Sequence, residues 1–74
     1  MEIKEFIEKF AEALEIEDVE TLNAETEFKK LEEWSSLSVM FLIAFFDEEF
    51  DKQIGDKEIK TATTIQDMYN LANS

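Results

Sequence analysis

Two adjacent serines, Ser35 and Ser36, stand directly before the most apolar stretch of the chain, which runs from Leu37 to Phe46. A serine hydroxyl in the first turn of a helix lies at the positive end of the helix macrodipole, where a phosphodiester is favourably placed. Serine is also a preferred N-cap residue, whose hydroxyl satisfies a backbone N–H. The pattern leaves two interpretations open: a phosphate-linked group attached to one serine, or helix capping alone.

The composition does not favour catalytic or metal-binding sites. The chain has no histidine and no cysteine, so the commonest metal ligand, the commonest general base and any thiolate are missing. A serine nucleophile would need a buried lysine as its base, and the lysines look like helix-surface residues. The segment Asp51 to Ala62 resembles a calcium loop only superficially, because alanine stands at its twelfth position, where glutamate is needed. We expect neither an enzyme nor a metal-binding protein.

The charge balance constrains the partners. With 19 acidic residues against 7 lysines, the chain has a formal net charge of -12, which repels nucleic acids and anionic membranes. An acidic surface instead raises the rate of encounter with basic patches on other proteins. The longest apolar stretch is about half a membrane span, and the N-terminal residues show no basic-then-apolar signal segment. We expect a cytoplasmic monomer without membrane insertion that docks to basic protein surfaces.

The elements that would position the serines are helices within one domain, residues 1–74. The apolar fraction of 45% is too high for a disordered acidic tail. An apolar stripe at helical spacing predicts a first helix with the inward residues Ile3, Phe6, Ile7, Phe10, Ala11 and Leu14. From Glu15 to Glu33 the periodicity fails, which predicts a long loop. We expect its isolated apolar residues to hold it near the core, namely Val19, Leu22, Phe28 and Leu31.

A second helix is expected to follow an N-cap at Ser35 and to run to about Phe50. Its expected inward residues are Leu42, Ile43, Phe46 and Phe50, with Leu37 and Phe45 at the margins. The exposed first half is expected to carry Ser38, Val39 and Phe41, of which Val39 and Phe41 have no obvious core partner. A core position for Phe41 stays open as the alternative.

The last third of the chain predicts a break and two further helices. We expect the break at DKQIGDKE, residues 51–58, whose single glycine, Gly55, is the one residue of the chain that adopts a positive φ easily. A short helical turn should hold Ile59, and a last helix should begin after Thr63 or Thr64. The inward residues of that last helix are Ile65, Met68, Tyr69 and Ala72. The fold class is all-α: a small four-helix bundle, three main helices and one short, with a long loop between helices one and two.

The order of these segments resembles the acyl carrier proteins. An apolar helix that ends in DEEFD follows Ser36-Leu37. The family's loop into a W-D-S-L or G-x-D-S-L motif is similar to TEFKKLEEWSSLS. The family's closing helix is similar to TATTIQDMYNLA. The resemblance implies that a phosphopantetheinyl transferase attaches 4′-phosphopantetheine from coenzyme A to Ser36. The thiol of this arm would carry acyl or aminoacyl groups as thioesters between enzymes with basic docking patches, as in fatty-acid, polyketide or nonribosomal biosynthesis.

Two departures from the family pattern bear on the site. The residue before the modified serine is usually aspartate, whereas here it is Ser35, which caps a helix comparably but carries no charge. The first half of the second helix is apolar where fatty-acid carriers often have acids, which suggests a specialised pathway. We therefore predict attachment at Ser36, with docking residues Ser35, Leu37, Val39, Phe41, Asp47 and Glu48. The alternative is an acidic helical interaction module that is never modified.

Overall fold

The computed structural model describes residues 2–73, which form helices and connecting loops without a strand. The four α-helices are α1 (Ile3–Ala13), α2 (Ser36–Phe50), α3 (Asp56–Thr61) and α4 (Ile65–Ala72). Two short 3₁₀ turns, Val19–Thr21 and Phe28–Lys30, lie between α1 and α2. The predicted all-α fold of three main helices and one short helix is confirmed. No helix among these residues is both long and apolar enough to cross a membrane.

Aromatic rings fill the core between the helices. Phe6 and Phe10 of α1, Phe28 of the long connection and Phe46 of α2 are fully buried. The ring centroid of Phe6 lies 5.9 Å from that of Phe10 and 6.3 Å from that of Phe46. The centroids of Phe10 and Phe28 are 5.5 Å apart. Tilted and edge-to-face pairs at such distances are favourable beyond their area burial, so this cluster ties α1, α2 and the connection together.

The long connection between α1 and α2 is held against the core by its apolar side chains, as predicted. Leu22 and Phe28 are buried, and Val19 and Leu31 are half-buried against them. Trp34, just before α2, packs on Phe28 with the ring centroids 5.2 Å apart. These contacts fix the direction from which the chain enters α2.

The connection is also hydrogen-bonded to the start of α4. The N–H of Ile65 donates to the carbonyl oxygen of Thr26 at 3.0 Å, and the N–H of Gln66 donates to that of Ala24 at 2.9 Å. Both donors lie in the first turn of α4, where N–H groups have no partner within the helix. The connection therefore completes the N-terminal end of α4.

A capping box formed by Thr64 and Asp67 begins α4. The N–H of Asp67 donates to Thr64 Oγ1 at 3.2 Å. In return, Asp67 Oδ2 accepts from the N–H groups of Thr63 at 2.8 Å and Thr64 at 3.0 Å. Thr64, one of the two residues predicted, is thus the N-cap. Because both bonds favour the charged carboxylate, the Thr63 bond foremost, they lower the pKa of Asp67.

An acidic residue in the left-handed region follows both α1 and α2, within two residues of the last helical one. Glu15 has a φ of 58° and Asp51 a φ of 53°. After α1, the N–H of Ile16 donates to the carbonyl oxygen of Ala11 at 2.8 Å, the long bond of a Schellman motif. This conformation reverses the chain at Glu15 and costs free energy, because a side chain crowds the backbone there.

The predicted break after α2 lies at residues 51–55, within the predicted segment 51–58, but Gly55 does not adopt a positive φ there. Gly55 has a φ of -117° and a ψ of -179°, an extended conformation that any residue adopts. The chain turns earlier, at Asp51, and the N–H of Lys52 donates to the carbonyl oxygen of Phe46 at 3.2 Å. Gly55 instead precedes α3, where its N–H donates to Glu58 Oε2 at 2.6 Å. That bond lowers the pKa of the Glu58 carboxyl, since it favours the charged form.

The core-facing side of α2 is rotated relative to the sequence-based expectation. Phe45, expected at the margin, is buried, whereas Ile43 and Phe50, expected inside, are only partly buried. The ring of Phe6 in α1 contacts those of Phe45 and Phe50, with centroid distances of 5.9 Å and 5.8 Å. The helix therefore turns its Phe45 side toward α1.

Candidate functional site

Ser36 is the first residue of α2, and its side chain is exposed. Within residues 2–73 its hydroxyl forms no hydrogen bond with another group of the chain. It lies at the end of the helix where the macrodipole is positive. A group attached to Ser36 Oγ would extend into solvent without displacing a packing or capping contact.

The capping contacts belong to the serines on either side of Ser36. Ser35 is the N-cap residue, as predicted, and its N–H donates to Ser38 Oγ at 3.0 Å. The N–H of Ser38 donates to the carbonyl oxygen of Ser35, also at 3.0 Å. Ser38 is only 2% exposed, so its expected place on the exposed face is wrong. The three-residue spacing from Ser35 to Ser38 is that of a capping box, and this spacing was the sequence signal for the contact. Glu or Gln usually stands at the second position of such a box, where this chain has Ser38.

The apolar residues of the first half of α2 divide between solvent and core. Leu37 is 58% exposed and Phe41 is 43% exposed, which rules out a core position for Phe41. Val39 packs against the core, so the expectation that it lacks a core partner is wrong. Val39 is two residues from both Leu37 and Phe41, and two residues correspond to about 200° around an α-helix. If those two side chains face solvent, Val39 must face inward.

Met40 joins Leu37 and Phe41 on the exposed face of α2. It is 65% exposed, and its spacing from Leu37 places the two side chains on neighbouring turns. These three are the large apolar side chains that the structure leaves exposed among the described residues. The sequence reasoning missed Met40, although its spacing from Leu37 was the signal that could have found it.

Acidic side chains occupy the second half of the same helix. Asp47 and Glu48 are exposed, and neither has a lysine within ion-pairing distance in the described part of the chain. Their neighbour Glu49 pairs with Lys9 of α1 at 3.5 Å, an exposed pair of the kind that stabilises a fold only slightly. The charges of Asp47 and Glu48 are thus available to a partner. Over residues 2–73, no group of three or more acidic side chains could hold a metal ion.

The surroundings of Ser36 fit a phosphodiester-linked arm. The hydroxyl is accessible and unbonded, and the helix end favours an anion. The acidic residues Glu32 and Glu33 precede the serines and are exposed, so solvent screens their repulsion of an attached phosphate. Comparisons of the sequence with protein-family models and with curated proteins give no match.

Proposed function

We propose that this chain is a carrier protein that receives 4′-phosphopantetheine on Ser36 and bears acyl or aminoacyl groups as thioesters on that arm. The observation that carries the proposal is the separation of roles among three serines. Ser35 and Ser38 cap α2, whereas Ser36 is exposed and its hydroxyl is unbonded. The resemblance of the motif order to the acyl carrier proteins supports the same assignment.

The modification is a phosphoryl-group transfer from coenzyme A. Ser36 Oγ forms a bond to the phosphorus that bears the pantetheine, and the bond from that phosphorus to the second phosphate breaks, releasing adenosine 3′,5′-bisphosphate. The hydroxyl proton passes to a base on the transferase, because no side chain among the described residues is hydrogen-bonded to Ser36. The contribution of this chain is to hold Ser36 accessible and to place the new anion at the positive end of α2.

The remaining surface suits delivery to other proteins. The net charge of -12 attracts basic patches and raises encounter rates with the enzymes that bear them. The phosphopantetheinyl transferase and acyl-transferring or acyl-modifying enzymes of fatty-acid, polyketide or nonribosomal biosynthesis are the proposed partners. We propose a monomer acting in the cytoplasm, with Ser36 presented from the start of a rigid helix.

One observation favours a second candidate, an acidic interaction module that is never modified. The exposed side chains of Leu37, Met40 and Phe41 form an apolar surface whether or not Ser36 carries an arm. Ser35 also stands where the acyl carrier proteins usually have aspartate. In this alternative, α2 binds a partner directly and the serines serve only the helix end.

Intact mass distinguishes the two functions. The purified protein is incubated with coenzyme A and a promiscuous phosphopantetheinyl transferase, and we expect a mass gain of one phosphopantetheine. Ser36→Ala should abolish the gain, whereas the matched control Ser35→Ala should retain it. Ser35→Asp restores the missing charge and should be modified faster than the parent. If several unrelated transferases leave the parent and Ser35→Ala unmodified, and protein from its native cells is also bare, the interaction module replaces the carrier.

A further inference from the structure

The chain enters α2 through a segment of hydrogen-bonded turns that begins at Phe28. The N–H of Leu31 donates to the carbonyl oxygen of Phe28 at 3.3 Å, and the N–H of Trp34 donates to that of Leu31 at 3.0 Å. Bonds between residues three apart close tight turns. Turns bend a chain but do not fix its orientation on the core, so the segment needs an anchor near its end.

The side chain of Trp34 provides this anchor. Its ring is half-buried, and its centroid lies 5.2 Å from that of Phe28 at an interplanar angle of 68°. Phe28 is fully buried, and its ring contacts that of Phe10 in α1, with the centroids 5.5 Å apart. Edge-to-face ring pairs of this kind are favourable beyond the area that they bury. Trp34 therefore joins the last residues before α2 to the centre of the core.

Lys29 holds the turn on which Trp34 packs from a second side. Lys29 Nζ donates to the carbonyl oxygen of Lys60 at 2.8 Å, and it lies 5.8 Å from the ring centroid of Phe28. Lys60 is in the last turn of α3, where carbonyl groups have no partner within the helix. The turn that contains Phe28 is thus attached to both α1 and α3, and Trp34 packs on a fixed support.

The position of Ser36 depends on this anchor. Ser35 alone separates Trp34 from Ser36, which places the two Cα atoms within about 7 Å of each other. Ser35 is extended, with a φ of -147° and a ψ of 176°, and its N–H reaches Ser38 Oγ only from that position. The Ser36 hydroxyl has no hydrogen-bond partner of its own within residues 2–73. The backbone on either side of Ser36 therefore determines where its hydroxyl lies.

We propose that Trp34 is a positioning residue for the transfer of 4′-phosphopantetheine to Ser36. The inference rests on the proposed function and deepens it. Packed on Phe28, Trp34 keeps Ser35 in its capping conformation and thereby keeps Ser36 in the first turn of α2. Ser36 Oγ then meets the phosphorus of coenzyme A in one orientation, and small misplacements of a reacting atom are costly in rate. Trp34 itself takes no part in making or breaking bonds.

Positioning differs in its consequences from a role in stability alone. A ring that only stabilised the fold would change the free energy of unfolding without changing the rate at which folded protein is modified. Without the anchor at Trp34, the first turn of α2 frays, and Ser36 reaches the reactive geometry less often. The rest of the surface still binds the transferase, so the loss should fall on kcat and not on KM.

Steady-state kinetics of arm transfer test the proposal, at a temperature where every variant is folded. Trp34→Ala should lower kcat about tenfold, with KM for this chain changed less than about twofold. Trp34→Phe keeps a ring against Phe28 and should restore most of kcat. The matched control is Tyr69→Ala, which removes another half-buried ring, one that contacts Phe6 at a centroid distance of 5.4 Å. It should lower the melting temperature comparably and leave kcat unchanged.

Amide hydrogen exchange tests the anchor without a transferase. In Trp34→Ala the N–H groups of Ser35 and Ser38 should exchange about tenfold faster than in the parent, because local opening of the helix end becomes easier. The N–H of Phe46, a buried residue farther along α2, should keep its rate. Tyr69→Ala should not accelerate exchange at the two serines. Trp34→Leu keeps apolar bulk without the ring, and it should show a smaller acceleration if Trp34→Ala fails to fold.

Four outcomes would overturn the positioning role of Trp34. These are an unchanged kcat for Trp34→Ala, an equal loss of kcat for Tyr69→Ala, unchanged exchange at Ser35 and Ser38, and a rise in KM alone, which would assign Trp34 to contact with the transferase. The failure of the proposed function has a different signature, since the parent itself then gains no mass. A parent that is modified no faster than Trp34→Ala refutes the positioning role alone.

Discussion

Three serines within four positions differ in what their side chains contact. The hydroxyl of Ser38 is buried and accepts from the N–H of Ser35, whereas Ser36 between them is exposed and unbonded. Modification at Ser36 is therefore compatible with an intact helix end. Replacement by alanine should therefore destabilise the protein at Ser38 but not at Ser36.

Ser38→Ala removes the acceptor for the N–H of Ser35 and should lower the free energy of unfolding by about 0.5–2 kcal/mol, the usual range for a lost cap. In a domain of this size, that corresponds to a fall of several degrees in the melting temperature. Ser36→Ala is the matched control and should be close to neutral. Thermal melts followed by circular dichroism measure both, and equal losses would contradict the separation of roles.

Two phenylalanines on α2 provide a second residue-scale comparison. Phe46 is fully buried among aromatic rings, so Phe46→Ala should destabilise the protein by about 3–5 kcal/mol. Phe41 is exposed, and Phe41→Ala should change the free energy of unfolding by less than about 1 kcal/mol. Urea unfolding of both variants decides the matter. If Phe41→Ala lowers the free energy of unfolding as much as Phe46→Ala does, Phe41 packs in the core and is not available to a partner.

At the scale of elements, the end of α1 contains a strained residue. Glu15 lies in the left-handed region, where glycine fits without a steric penalty. Relief of this strain exceeds the entropy that glycine adds to the unfolded chain, so Glu15→Gly should stabilise the protein by about 0.5–1 kcal/mol. Glu17→Gly removes the same charge at a residue without positive φ and should destabilise it. The midpoints of urea unfolding measure the stability of both variants. A midpoint below that of the parent for both variants would refute the strain at Glu15.

The start of α4 contains an acid-sensitive contact. The pKa of Asp67 in the folded protein is lowered by the N–H groups of Thr63 and Thr64. The stabilisation is therefore complete above the ordinary value of 3.8 and is lost as the pH falls through the lower pKa of the folded state. Asp67→Ala should destabilise the protein at neutral pH, and the difference from the parent should narrow below pH 3.8.

The matched control for the acid-sensitive contact is Asp47→Ala. The side chain of Asp47 forms no hydrogen bond or ion pair within residues 2–73, so its removal takes away the same charge without a cap. Thermal melts from neutral pH down to about pH 3 would follow all three proteins, spanning the ordinary range of aspartate titration. A difference between Asp67→Ala and the parent that stays constant with pH would argue against the contribution of the charged cap.

At the scale of the whole molecule, the excess of negative charge opposes compaction. The 19 acids and 7 lysines share a small surface, and the ion pairs among the described residues are exposed and weak. Added salt screens the repulsion, so the melting temperature should rise between low and moderate ionic strength. A flat or falling melting temperature would show that specific lysine pairs already offset the excess.

A charge-reduced variant controls for nonspecific effects of salt on stability. Three glutamate side chains are exposed and form no hydrogen bond or ion pair in the described part of the chain, those of Glu8, Glu17 and Glu32. Replacing all three by glutamine should raise the melting temperature at low salt and flatten its salt dependence. If the melting temperature of this variant rises with salt as steeply as that of the parent, salt acts through hydrophobic contacts instead.

The sequence alone was sufficient to place the helices, because their signals are local. The apolar stripe of α1 contrasts with a charged face, so periodicity identified the helix and its buried residues Phe6, Phe10, Ala11 and Leu14. Ile3 and Ile7, also expected inside, are only partly buried. The pairing of Thr64 with Asp67 lies within four residues, and the N-cap at Ser35 precedes an apolar run directly. Ser36 was selected as the candidate site by the motif order, and its role as the attachment residue is a prediction from that resemblance.

Only the tertiary structure decided which side of α2 faces the core. Between Leu37 and Phe46, apolar residues occur on all sides of this helix, so that stretch has no charged face to indicate an orientation. In the packed structure Phe45 contacts α1, Val39 and Ser38 face inward, and Met40 is left in solvent. The break after α2 was predicted from the sequence, but the positive φ within it falls on Asp51 and not on Gly55, while Phe46 and its neighbours are held in the core. Such strain depends on contacts from distant parts of the chain, and local residue preferences carry no signal of it.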